Sequence, residues 1–119
     1  MSVDTHARDL VLDGTPAVVD EVIPAEELIR QAEKAANFLK ALSHEGRLMI
    51  LCHLISGEKS VTELETLLGS RQAAVSQQLA RLRLEGLVES RRDGKAIYYT
   101  VSDPRAQQMM SLIHEIFCA

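Results

Sequence analysis

Tryptophan is absent from the chain, and two tyrosines and two phenylalanines are its only aromatic residues. A core without bulky rings has to be filled by Leu, Ile, Val, Ala and Met, which suits packed helices better than a β-sandwich. No run of about 18 uncharged apolar residues occurs, so no segment is expected to span a membrane. The first residues lack the basic start and apolar block of a secretory signal, which points to a cytoplasmic protein. Cysteine is scarce as well. Cys52 and Cys118 are too few for a disulfide scaffold and would rest as thiols in a reducing cytosol. Sixty-five residues lie between them, so they do not form the close pair of a cysteine zinc site either.

The 119 residues suffice for one hydrophobic core. The net charge of −4 argues against nucleic acid until its distribution is considered. Residues 1–40 hold four basic and eight acidic side chains, and residues 41–69 hold two and four. Residues 70–95 reverse the balance with six basic and three acidic groups. For DNA the location of the charge matters more than its sum, and one short basic block stands in an acidic chain.

Residues 1–24 show no helical period, are punctuated by Gly14, Pro16 and Pro24, and read as a flexible arm before a domain over 25–119. From Ala25 the pattern is helical: Leu28, Ala32, Ala35, Leu39 and Leu42 form one apolar stripe. A second helix is expected from about His44 to Ile55, capped by Ser43, with Leu48, Leu51, Cys52 and Ile55 inward. Ser60-Val61-Thr62-Glu63 is a capping box that opens a short helix ending at Gly69. Ser70 is placed to cap the next helix, Arg71 to Glu85, so the two are joined by a tight turn as in a helix-turn-helix. Leu87–Arg91 and Ala96–Val101 read as strands around Asp93-Gly94, and Asp103-Pro104 starts a last helix with Ala106, Met109, Met110, Ile113, Ile116 and Phe117. The expected fold is mainly α with a small β-hairpin, in the order helix, helix, helix, helix, strand, strand, helix.

Along Arg71–Glu85, Val75, Leu79 and Leu82 form a buried edge, whereas Ala73, Ser76, Gln77 and Arg81 point away from it. Gln72, Ser76 and Gln77 beside small Ala73 and Ala74 suit a major groove, where glutamine bonds adenine bidentately and alanine permits close approach. Arg71, Arg81 and Arg83 are then within reach of phosphates. Arg91 and Arg92 before the hairpin turn and Lys95 after it give the ribbon a basic tip. Taken singly, the hairpin charges are as well read as solvated groups, and polar residues on one helix face usually are just that. Their combination in this order points to a winged helix-turn-helix.

Ala41-Leu42-Ser43-His44-Glu45-Gly46-Arg47-Leu48, Gln72-Ala73-Ala74-Val75-Ser76-Gln77-Gln78-Leu79, Gly86-Leu87-Val88 and Arg91-Arg92-Asp93-Gly94-Lys95 with Tyr98-Tyr99 resemble the ArsR family of bacterial repressors over roughly residues 28–118. The resemblance implies a homodimer joined through the first and last helices, bound to double-stranded operator DNA until an inducer releases it. The last helix agrees: Leu112, Ile113, Ile116 and Phe117 exceed what one small core needs.

Inducer sites differ within that family. The Cys-Val-Cys cluster of one metal-sensing branch is replaced here by Val61-Thr62-Glu63-Leu64. A second metal pattern is only partly met by Asp103, His114 and Glu115, because adjacent residues point about 100° apart on a helix. No metal or other cofactor is therefore expected. Cys52 by itself reads as a small core hydrophobe and Cys118 as incidental. Together they resemble the sulfide- and persulfide-responsive dithiol repressors of the BigR/SqrR type, which implies a Cys52–Cys118 disulfide or polysulfide as the switch. A metal-responsive repressor and a general thiol-oxidation sensor stand as alternatives. An enzyme is not expected, since there is no Cys-x-x-Cys motif and no legible substrate pocket.

Overall fold

A computed structural model describes residues 22–118. Apart from Val22–Pro24, the expected N-terminal arm lies outside the described residues. The contacts of the chain fall into two compact units, residues 1–35 and 36–119. In the first, the described residues contribute the start of helix α1 (Ala25–Leu42). The second contains the end of α1, then α2 (Glu45–Leu54), β1 (Lys59–Ser60), α3 (Val61–Leu68), α4 (Gln72–Leu84), β2 (Val88–Asp93), β3 (Ala96–Val101) and α5 (Pro104–Phe117). None of these helices is long and apolar enough to cross a membrane.

The order matches the winged helix-turn-helix expected from sequence, with one addition. Lys59 and Ser60 pair with Tyr99 and Tyr98, so the hairpin becomes a three-stranded antiparallel sheet in the order β1-β3-β2. Alternating patterns cannot reveal a two-residue strand whose partner lies far along the chain.

Local chemistry sets most boundaries. The Ser60 hydroxyl accepts from the Glu63 N–H at 3.0 Å while the Glu63 carboxylate accepts from the Ser60 N–H at 2.7 Å, closing the capping box. Asp103 caps α5 by accepting from the Arg105 N–H at 2.8 Å, with Pro104 in the first helical position. Two expected caps are moved by one residue. His44, not Ser43, caps α2, its Nδ1 accepting from the Gly46 N–H at 3.0 Å. Arg71, not Ser70, occupies the cap position of α4 and makes no side-chain cap bond; the Ser70 hydroxyl instead donates to the Leu68 carbonyl.

Helix α4 ends in a Schellman motif, with Leu87 N–H donating to Leu82 O and Gly86 N–H to Arg83 O, both at 2.9 Å. Gly86 adopts φ 77°, where a side chain would be strained, and this turn feeds α4 directly into β2. The hairpin loop is Gly94-Lys95, one residue later than Asp93-Gly94, because Asp93 still pairs with Ala96. Gly94 has φ 66°, the positive value that both favoured two-residue turns require at their first position.

The core of the second unit comprises Ala41 and Leu42, Ile50, Leu51 and Leu54, Leu64, Val75, Leu79 and Leu82, Leu87 and Val88, and Ala106 and Met110. Every helix therefore contributes, and each fully buried leucine stabilises the unit by about 1.5–3 kcal/mol relative to exposure. Other apolar side chains stay out of this core. Leu39 is 50% exposed, Ile116 62% and Phe117 77%, and Leu28 and Ile29 of the first unit are exposed as well.

Candidate nucleic-acid interface and thiol pair

Helix α4 has the two faces expected of it. Val75, Leu79 and Leu82 are buried, whereas Gln72, Ala73, Ala74, Ser76, Gln77, Arg81 and Arg83 are exposed. Among the described residues, Gln72, Ser76 and Gln77 make no side-chain hydrogen bond, so their amides and hydroxyl are available to a ligand. The basic residues are less uniform. Arg71 and Arg83 are exposed at either end of the helix, but Arg81 Nε lies 3.2 Å from Glu85 Oε2.

The ribbon is similarly divided. Arg91 forms a two-pronged pair with Glu58, Nε to Oε2 at 2.7 Å and Nη2 to Oε1 at 2.8 Å. Its guanidinium also sits 4.6 Å from the ring centroid of Tyr98, its cross-strand partner. Hydrogen bonding from Arg91 holds the Glu58 carboxyl below the ordinary carboxylate range and raises Arg91 in turn. Arg92 and Lys95 are exposed and form no ion pair among the described residues. Of the six basic residues between 70 and 95, the structure thus leaves Arg71, Arg83, Arg92 and Lys95 without a carboxylate partner among the described residues, gives Arg81 one in Glu85, and gives Arg91 two, Glu58 and, at 3.9 Å, Asp93.

Sequence reasoning passed over Arg47 and Gln78 as participants. Arg47 is buried in the first turn of α2 and its Nη1 donates to Gln78 Oε1 on α4 at 3.0 Å. Burial and the neighbouring Arg81 charge lower its pKa, although an arginine still carries its proton at neutral pH. The signal available was only that both residues occur within the recognised motifs.

Both thiols are free. Cys52 is half-buried on α2 and packs against the core, and Cys118 is exposed at the C-cap of α5, its N–H donating to the His114 carbonyl at 2.8 Å. Helices α2 and α5 pack against each other. Of the partial metal pattern, Asp103 is bonded by the Arg105 side chain at 2.7 Å, and within the single chain no group of three or more His, Cys, Asp or Glu side chains lies together among the described residues.

Residues 44–90 match the profile of bacterial regulatory proteins of the arsR family. A biofilm growth-associated repressor from Xylella fastidiosa is 46% identical over 94 residues, covering 79% of this chain and 82% of that protein. Among solved structures, reduced HlyU from Vibrio cholerae superposes with a TM-score of 0.77 at 40% identity, covering 79% of this chain and 99% of that one. The transcriptional repressor BigR from Xylella fastidiosa gives 0.74 at 44% identity, covering 82% and 99%. The chain belongs to the ArsR family of bacterial regulatory proteins and is a DNA-binding transcriptional regulator, not an enzyme.

Proposed function

We propose that the chain is a homodimeric repressor that binds operator DNA when reduced and releases it when reactive sulfur species link Cys52 to Cys118. The observation that carries this reading is the placement of the two thiols on α2 and at the end of α5, two helices that pack against each other. One belongs to the body that supports α4, and the other ends a helix whose Leu112, Ile116 and Phe117 are exposed. That apolar face of α5 is surface a second copy would bury, and the exposed Leu28, Ile29 and Leu39 of α1 are further apolar side chains available to a partner. The Vibrio cholerae relative has been solved in a reduced form, which supports a redox role for the thiols.

In the reduced dimer two copies of α4 enter successive major grooves about one DNA turn, roughly 34 Å, apart. Gln72, Ser76 and Gln77 read base edges with Ala73 allowing close approach, and Arg71, Arg81, Arg83, Arg91, Arg92 and Lys95 meet phosphates. An organic persulfide RSSH supplies the oxidant. One cysteine thiolate takes the outer sulfur and expels the thiol RSH, leaving a protein persulfide. The second thiolate attacks its inner sulfur and expels hydrogen sulfide, so a disulfide forms from two thiols. A further sulfur transferred before closure lengthens the bridge to a trisulfide and consumes one more RSSH. Longer bridges relax the Cα separation limit of about 7 Å for a simple disulfide. The bridge ties α2 to the end of α5 and changes the spacing of the two α4 helices. In the test, operator binding by the parent, Cys52→Ser and Cys118→Ser is compared before and after organic persulfide. The parent is released and both variants stay bound; variants released like the parent would contradict the switch.

A further inference from the structure

We infer that Arg47 is a positioning residue for base readout: through Gln78 it fixes the rotation of α4 about its own axis against the end of α1. The inference rests on the DNA-reading role of α4 proposed above. Arg47 is 9% exposed and is the one charged side chain among the buried described residues. A guanidinium withdrawn from water is costly unless its donors find acceptors. Here all three outward nitrogens do. Nε donates to the Ala41 carbonyl at 2.6 Å, Nη2 to the Lys40 carbonyl at 3.3 Å, and Nη1 to Gln78 Oε1 at 3.0 Å. The two carbonyls belong to the last turn of α1, where helix geometry leaves acceptors over and a positive charge is favoured. The remaining acceptor is on α4. One planar group therefore couples the end of one helix to the flank of another.

The position of Gln78 makes this coupling directional. It lies between exposed Gln77 and buried Leu79, on the boundary of the two faces of α4. Val75, Leu79 and Leu82 hold α4 by apolar burial, which has little preference for one rotation over a slightly different one. A hydrogen bond does, because it weakens steeply away from linearity. A side-chain tip about 6 Å from the helix axis moves roughly 2 Å when the helix turns by about 20°. Such a shift breaks a bidentate contact to a base while leaving phosphate attraction nearly intact. Arg47 is buried and so meets no phosphate itself; its influence is on discrimination rather than on charge.

The test starts from a duplex that the full-length reduced parent selects from a random DNA library. Affinity for it, affinity for a scrambled duplex and the salt slope are then measured for Gln78→Met, Arg47→Lys and their combination. Gln78→Met removes the acceptor at similar length, and Arg47→Lys keeps the charge but loses the fork. Each single variant is expected to bind the selected duplex about tenfold more weakly or worse, with scrambled-duplex affinity and salt slope unchanged. The loss falls on several half-site positions together, and the double variant is no worse than the weaker single one. Gln78→Glu restores an acceptor and with it the ratio of selected to scrambled binding, while its charge lowers both affinities. If Arg47→Lys does not fold, the Gln78→Met and Gln78→Glu pair decides. A parent-like ratio in Gln78→Met, a loss confined to one base position, additive losses in the double variant or no rescue by Gln78→Glu would each overturn the inference. A parent that selects no duplex would overturn the DNA reading itself and the inference with it.

Discussion

Helix α4 and the β2–β3 ribbon both turn polar side chains outward, but they hold them differently. On α4 the side chains placed to read bases, Gln72, Ser76 and Gln77, have no side-chain partner among the described residues, and the bonds fall on neighbours, Gln78 accepting from Arg47 of another helix and Arg81 pairing with Glu85 along α4 itself. On the ribbon the first basic residue is itself engaged, Arg91 lying between Glu58 and Tyr98. Its neighbour Arg92 projects from the opposite face of the strand, and Lys95 sits in the turn. Readout needs free but oriented groups, whereas a backbone contact needs only charge within reach. A count of basic residues therefore overstates what the wing presents at rest, because one of its three cations, Arg91, is already partly neutralised.

This contrast is open to measurement. Gln77→Ala is expected to have the largest effect, a loss of about 1–3 kcal/mol in discrimination at one base position with little change in the salt slope. Arg92→Ala and Lys95→Ala should weaken binding to all duplexes alike and lower the salt slope by about one each; a sequence-selective loss would place the wing among the readers. Glu58→Gln should strengthen binding a few-fold and steepen the slope, since it removes the exposed two-pronged pair that competes with phosphate for Arg91 and leaves only the looser Asp93 contact. A weakening would make the pair a structural strap instead. Acid should reproduce this last effect only at low pH. The folded Glu58 carboxyl is held below its ordinary value, so the pair persists above the ordinary carboxylate range and is lost as pH falls through the lowered one. Binding that changed between about pH 8 and 6 would have to come from another group.

The elements of the fold were legible because their signals are local. Ser60 and Glu63 sit three residues apart, Asp103 adjoins Pro104, and the Val75, Leu79 and Leu82 edge has helical period, so each can be read within one turn of chain. What escaped was set at a distance. Strand β1 exists only because Tyr98 and Tyr99 offer it a partner. His44 displaces Ser43 as a cap through ring geometry that residue preference does not encode. The Arg47–Gln78 and Arg91–Glu58 bonds join residues 31 and 33 positions apart, and composition shows such arginines only as charge. The thiols are intermediate: their helices were correctly placed, and their proposed pairing came from family resemblance.

The central claim is that sulfur bridging of Cys52 and Cys118 controls DNA binding, and intact-mass spectrometry read beside operator release tests it most directly. After organic persulfide, the released protein should have lost two hydrogens, with whole sulfur atoms gained besides where the bridge between the two cysteine-containing peptides is longer, and reductant should restore both mass and binding. Release with both thiols still unmodified would contradict the claim, as would a fully bridged protein that remained on its operator.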